Sequence, residues 1–165
     1  MPPRSRPRTR VAPPPAPRAH AGQRAATVAA SLRDAGLRRS RVRDIVVEEF
    51  FAAAQHMSVE ALLDRVRKRA PETGLSTVYR TLKVLVEHGF AAERDFGGAH
   101  TLFEPADTPH HDHAVCVACG RVIEFEDDAL EAIQARVASS LGFEVTAHRL
   151  ELYGRCPSCR AHAAR

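Results

Sequence analysis

Residues 74–98 read GLSTVYRTLKVLVEHGFAAERDFGG, and the fold turns on this stretch. From about Ser76 to His88 the apolar residues Val78, Leu82, Leu85 and Val86 recur at helical spacing and form one face, and Gly89 stops the run. Tyr79, Arg80 and Lys83 project from a different face. Two short strands follow, near Phe90–Asp95 and Thr101–Glu104, with Phe96-Gly97-Gly98 as the turn between them. A helix that feeds a small hairpin is the second half of a winged helix-turn-helix.

Upstream lie three more helical patterns. Ala25–Ala35 ends at Gly36; Ser40 is placed to cap a second helix with Val42, Ile45, Val46, Val47, Phe50 and Phe51 at helical spacing. Ser58 starts a third, with Glu60 in its first turn and Leu62, Leu63 and Val66 as its buried stripe, and it ends before Pro71. In a winged helix the last helix enters the major groove of double-stranded DNA and reads base edges with its outward polar side chains. Thr77, Tyr79, Arg80 and Lys83 occupy that outward face. The same module also serves as a protein-binding element, so pattern alone leaves a zinc-stapled interaction module as an alternative.

Composition bounds the rest. The chain has 165 residues, 44% apolar and 27% charged, which is globular composition for one ordinary domain or two small ones. No run of about 18 apolar residues is present to span a bilayer, and no secretory signal is recognisable, so a cytoplasmic location without a membrane partner is expected. Residues 1–24 carry six arginines and no acid, residues 25–95 twelve basic against ten acidic, and residues 96–165 six against ten. This gradient suits an anion-binding N-terminal half and a cation-holding C-terminal half. The first segment also holds seven prolines and little apolar bulk, and reads as a disordered basic tail over 1–23. A winged-helix domain over 24–105 and a smaller second domain over 106–165 complete the organisation.

The C-terminal half is a different kind of unit. Strand-like AVCV and RVIEF flank Cys119-Gly120, a helix from Asp127 to about Leu141 shows Leu130, Ile133, Val137 and Leu141 as its core stripe, and a long strand region runs from Phe143 to Tyr153. So little regular structure needs a staple. All four cysteines fall in two pairs, Cys116-Val-Ala-Cys119 and Cys156-Pro-Ser-Cys159, a spacing that presents four thiolates to one tetrahedral zinc. Disulfides do not suit a cytoplasmic chain, and a redox CxxC would leave the second pair without a role.

A second ligand-rich run, His110-His111-Asp112-His113, precedes the first cysteine pair. Alternate residues of an extended segment face opposite ways, so His111 and His113 serve one side while His110 and Asp112 serve the other, giving two sites. With Glu104 and Glu131 nearby, mixed imidazole and carboxylate ligands suit iron(II), manganese or zinc. A metallohydrolase is the competing use of such ligands. No HExxH, GxSxG or Gly-rich phosphate loop accompanies them, and no small-molecule substrate beyond the metal ion is indicated.

Taken together, these motifs resemble the ferric uptake regulator family over roughly residues 25–160. Gly74-Leu75-Ser76-Thr77-Val78-Tyr79-Arg80-Thr81-Leu82 is similar to its recognition helix. The His110–His113 run, Cys116-Val-Ala-Cys119-Gly120 and Val122-Ile123-Glu124-Phe125 are similar to its metal core, and Leu152-Tyr153-Gly154-Arg155-Cys156 to its closing strand. The resemblance implies an α+β chain, with a winged helix followed by a small α/β dimerisation domain bearing a four-cysteine zinc site. It implies no enzyme but a metal-dependent repressor, acting as a homodimer on a pseudo-palindromic DNA operator. Carried over by position, it makes His56, Glu104, His111 and His113 a regulatory site, with Glu124 a further ligand. His110, Asp112, Glu131 and His148 become a second site, and the four cysteines the structural zinc site. Tyr79 and Arg80 fall where the family approaches bases, and Arg38 or Arg39 near where it inserts a basic residue into the minor groove. Val42 departs from the family by standing where proline is common. Members that sense iron, zinc, manganese or peroxide share the scaffold; Glu at 104 and 124 resembles the iron branch, so iron(II) is the expected signal.

Overall fold

The computed structural model describes residues 9–11, 21–53, 56–97 and 101–163. In chain order it contains β1 (Thr9–Val11), α1 (Ala21–Asp34), α2 (Arg41–Ala53), α3 (Val59–Arg67), α4 (Leu75–Glu87), β2 (Ala91–Asp95) and β3 (Thr101–Pro105). These are followed by β4 (Asp112–Cys116), β5 (Val122–Asp127), α5 (Asp128–Ser140), β6 (Glu151–Gly154) and α6 (Pro157–Ala163). The chain divides into a helical unit, residues 14–109, and a sheet unit made of residues 1–13 and 110–165. No helix among the described residues is long and apolar enough to cross a membrane.

In the helical unit the apolar stripes of four helices meet. Val46, Phe50 and Phe51 of α2, Leu62 and Val66 of α3, and Val78, Leu82 and Leu85 of α4 are buried together, with Val28 and Leu32 of α1 closing one side. Local chemistry fixes the ends: the Ser58 hydroxyl accepts from the Ala61 N–H at 3.1 Å at the start of α3. At the end of α4, Gly89 takes φ 72°, and the Phe90 N–H reaches back to the Leu85 carbonyl at 2.8 Å. That turn swings the chain from α4 into the hairpin β2–β3, where Ala92 pairs with Glu104 and Arg94 with Leu102. A third short piece joins the hairpin, since Met57 and Phe103 exchange backbone hydrogen bonds of 2.9 and 2.8 Å.

The sheet unit holds a four-stranded sheet in the order β1-β5-β4-β6. Strands β4 and β5 are antiparallel and β4 and β6 parallel. Three sequence expectations need correction here. The tail is not wholly unstructured, because Thr9–Val11 lie antiparallel to Phe125–Asp127 and use the hydrogen-bonding edge that β5 offers; the rest of residues 1–20 lies outside the described residues. The long strand over Phe143–Tyr153 is reduced to Glu151–Gly154, because β6 sits at the sheet edge and residues before it have no described neighbouring strand beyond β4 to pair with. The stripe on α5 is not core: α5 has no buried residue, and Ile133, Val137 and Leu141 are 46%, 49% and 70% exposed. Helical periodicity identifies an apolar face but not the surface that covers it. Helix α1 also begins at Ala21, earlier than its pattern suggested, and α6 had no sequence expectation.

Leu82→Ala should cost the helical unit about 2–5 kcal/mol of unfolding free energy, against about 1 kcal/mol for loss of the Ser58 cap in Ser58→Ala. Urea denaturation followed by far-ultraviolet circular dichroism checks both; a smaller loss for Leu82→Ala than for Ser58→Ala would contradict the packing described.

Candidate metal centres and the recognition helix

The cysteine pairs converge. Cys116 ends β4, and a tight turn closes behind it with Gly120 at φ 71° and its N–H on the Cys116 carbonyl at 2.8 Å. The second pair straddles the start of α6, where Pro157 suits the first helical position. Ligand atoms of all four cysteines lie within 4.8 Å of one another. All four are free thiols, and Cys119 Sγ stands 3.8 Å from Cys156 Sγ, far longer than a disulfide. Sulfurs about 2.3 Å from a tetrahedral zinc stand about 3.8 Å apart, so the cluster fits that ion. Its electrostatics point the same way. The backbone N–H of Cys156 donates to Cys116 Sγ at 3.3 Å and, against the opposing effect of burial, helps to lower the Cys116 thiol to about 6. Cys159 is pushed up to about 12, first by its hydrogen bonding with Cys119. A dication removes that opposition by stabilising the fourth thiolate.

On one side of β4, the ligand atoms of His110, Asp112, Glu131 and His148 also lie within 4.8 Å of one another. His110 Nε2 is 3.2 Å from Glu131 Oε1, and His148 Nε2 is 3.3 Å from the same oxygen. The Asp112 side chain is 1% exposed, and neither of its oxygens has a hydrogen-bond partner among the described residues. Burial raises its pKa, and the neighbouring imidazoles pull it back. A desolvated carboxylate facing two imidazoles and a second carboxylate fits a divalent cation.

The remaining expected ligands fall in both units. In the helical unit, pairing of Met57 with Phe103 places His56 beside Glu104, and His56 Nε2 lies 3.2 Å from Glu104 Oε2. Two ligands about 2.1 Å from one cation stand about 3.0–3.4 Å apart at right-angled to tetrahedral geometry, so this pair fits two ligands of one cation. In the sheet unit, the rings of His111 and His113 are 4.7 Å apart between centroids, and His113 pairs across the sheet with Glu124. Sequence reasoning missed two neighbours of the first pair. Phe96 is buried against the His56 ring at 6.2 Å, and Arg94 Nε donates to Glu104 Oε1 at 2.6 Å. The hairpin register would have revealed Arg94; its spacing in sequence does not.

Along α4 the side chains of Thr77, Tyr79 and Arg80 are exposed while Val78, Thr81, Leu82 and Leu85 face the core. Lys83 is half-buried, and its ammonium is 2.6 Å from Glu93 Oε2 on the hairpin. Arg38 and Arg39 are both exposed in the link between α1 and α2, where the Arg38 carbonyl accepts from the Arg43 guanidinium at 2.9 Å.

Comparison with known proteins bears on all of these groups. The model of the ferric uptake regulator family matches residues 34–153. A ferric uptake regulation protein of Campylobacter jejuni is 36% identical over 136 residues, covering 81% of this chain and 87% of that protein. The solved ferric uptake regulator of Helicobacter pylori, described as having three functional metal binding sites, superposes with a TM-score of 0.77 at 27% identity, over 85% of this chain and 93% of that one. A zinc-bound manganese uptake regulator gives a TM-score of 0.66 at 34% identity, over 80% and 98%. With a family match spanning most of its length and a relative of that identity and coverage, the chain belongs to the ferric uptake regulator family.

Proposed function

We propose that this chain is a metal-responsive transcriptional repressor that binds a double-stranded DNA operator as a homodimer, with iron(II) as its signal and zinc as its structural ion. One observation carries the reading: imidazole and carboxylate ligands stand in both units, His56 and Glu104 in the one that bears α4, His111, His113 and Glu124 in the other. A cation held by both sets would restrict how α4 is presented. In a symmetric dimer this restriction sets the spacing of two recognition helices against two half-sites. Shifting such an equilibrium from about 1:99 to 99:1 takes about 5.5 kcal/mol of differential affinity, within the range of a multidentate site.

Other features support the separate parts of this reading. The exposed stripe of α5, with Phe143 and Val145 at 73% and 52% exposure, borders a groove of 570 Å³ and is the kind of apolar surface that a second copy covers. The exposed Tyr79 and Arg80 are the base-reading candidates, and Thr77, Lys83, Arg38 and Arg39 the further candidate DNA contacts. Cys116, Cys119, Cys156 and Cys159 would hold zinc; His110, Asp112, Glu131 and His148 would hold a second ion that ties α5 to β4 and to the segment before β6. Mixed nitrogen and oxygen ligands accept iron(II), manganese and zinc alike, and intrinsic affinity favours zinc over iron, so availability decides the occupant. The 34% identity to a manganese uptake regulator favours manganese as the second reading. Metal titration of operator binding, with iron(II), manganese and zinc compared under anaerobic conditions, tests the signal.

Three outcomes are expected. Cys116→Ser should release one zinc per chain and abolish the dimer, read by metal analysis and sedimentation; a stable zinc-loaded dimer would sink the structural assignment. Arg80→Ala should weaken operator binding by about 1–3 kcal/mol while metal affinity stays near that of the parent chain; equal loss of both would mean misfolding. His111→Ala should abolish metal-dependent operator binding, followed by fluorescence anisotropy, yet leave the cysteine-bound zinc and the dimer in place. Glu131→Ala, whose site lies within one unit, should retain the response with modestly altered stability. A wild-type metal response in His111→Ala contradicts the two-unit site.

A further inference from the structure

Glu104 is engaged at both oxygens within the helical unit. Its side chain is 2% exposed; Oε2 lies 3.2 Å from His56 Nε2, while Oε1 accepts from Arg94 Nε at 2.6 Å. Register explains why these three meet. Met57 opposite Phe103 puts His56 opposite Glu104, and Ala92 opposite Glu104 makes Arg94 its diagonal neighbour on the same face of the hairpin. A diagonal separation of about 7–8 Å is within reach of a long side chain. Phe96, two residues beyond Arg94 and buried, packs on the His56 ring.

We propose that Arg94 is a positioning residue for the regulatory site, committing Oε1 so that Glu104 offers Oε2 to the cation, and that its fixed charge raises the metal concentration at which the site fills. This rests on the reading that Glu104 and His56 are metal ligands. Two effects follow from one guanidinium. The hydrogen bond on Oε1 opposes bidentate coordination, which would otherwise give the cation a second charged oxygen. The positive charge, one carboxylate width from the ligand oxygen, repels an incoming dication in surroundings less polar than water. Both effects weaken metal binding, so Arg94 sets a threshold, and a response above a threshold is what a sensor requires.

The test uses the full chain with its cysteine site zinc-loaded and manganese(II) as probe, free ion being counted by electron paramagnetic resonance. The cluster around Asp112 is common to every variant, so differences between isotherms report the Glu104 site. Arg94→Gln keeps a donor but loses the charge and should tighten manganese binding about tenfold, with the metal midpoint of operator binding falling in parallel. Arg94→Lys keeps the charge and should stay within about threefold of the parent. A salt bridge that only holds β2 to β3 would, once broken, leave affinity unchanged or weaken it, and either result in Arg94→Gln overturns the proposal. Glu104→Gln separates the two levels: if it fails to weaken manganese binding, the ligand assignment itself is wrong; if it weakens binding while Arg94→Gln changes nothing, only the role of Arg94 falls.

Discussion

The sheet unit buries very little. Among its described residues the buried apolar ones are Val115, Cys116, Phe125 and Cys156, joined by the polar Asp112 and His113, whereas the helical unit buries a continuous set from Ala25 to Phe103. A sheet with so small an interior cannot offset the chain entropy of ordering it through apolar burial alone. What it has instead is ligand chemistry at fixed points: four thiols around the Cys116 turn, and two imidazoles with two carboxylates around Asp112. Cations bound at those points would cross-link the sheet in place of a larger core, and their binding would then contribute directly to folding.

Much of this was legible in the sequence because the relevant signals are local. Helix caps at Ser40 and Ser58, the stop at Gly89 and the paired cysteines each act within a few residues, and each is found where its chemistry places it. What was not legible depends on partners distant in sequence. The α5 stripe looks the same in sequence whether its cover is this chain or another. Residues Phe143–Leu150 have side chains suited to extension, but no strand forms there, and among the described residues only the Leu150 carbonyl bonds to β4, accepting from the His113 N–H. Thr9–Val11 pair with β5 although nothing in a Pro- and Arg-rich tail announces it, because an open sheet edge accepts almost any extended backbone.

The candidate sites follow the same rule. The alternation of His110–His113 could be read from strand geometry, since it needs only the period of two. The grouping of Arg94 with Glu104 and His56 could not, since it requires two registers at once: Ala92 against Glu104, and Met57 against Phe103. Neither register is visible without the hairpin.

Strand β4 makes the consequence general. Asp112 belongs to the cluster with Glu131 and His148, His113 pairs with Glu124 and neighbours His111, and Cys116 ends the strand in the thiol cluster. One strand of five residues thus carries a member of every ligand group in the sheet unit. Its backbone is hydrogen-bonded on both sides, to β5 and to β6, so the three side chains cannot shift independently. A cation held by the cysteines would therefore fix Cys116 at one end of the strand that presents His113, and one held at Asp112 would fix the segment whose Leu150 carbonyl accepts from the His113 N–H at 3.2 Å. Ions held at those two clusters would not need to touch an ion at His113 to act on it. By removing freedom from β4 they would lower the ordering cost of filling a site that includes His113, the condition for positive cooperativity through a shared strand.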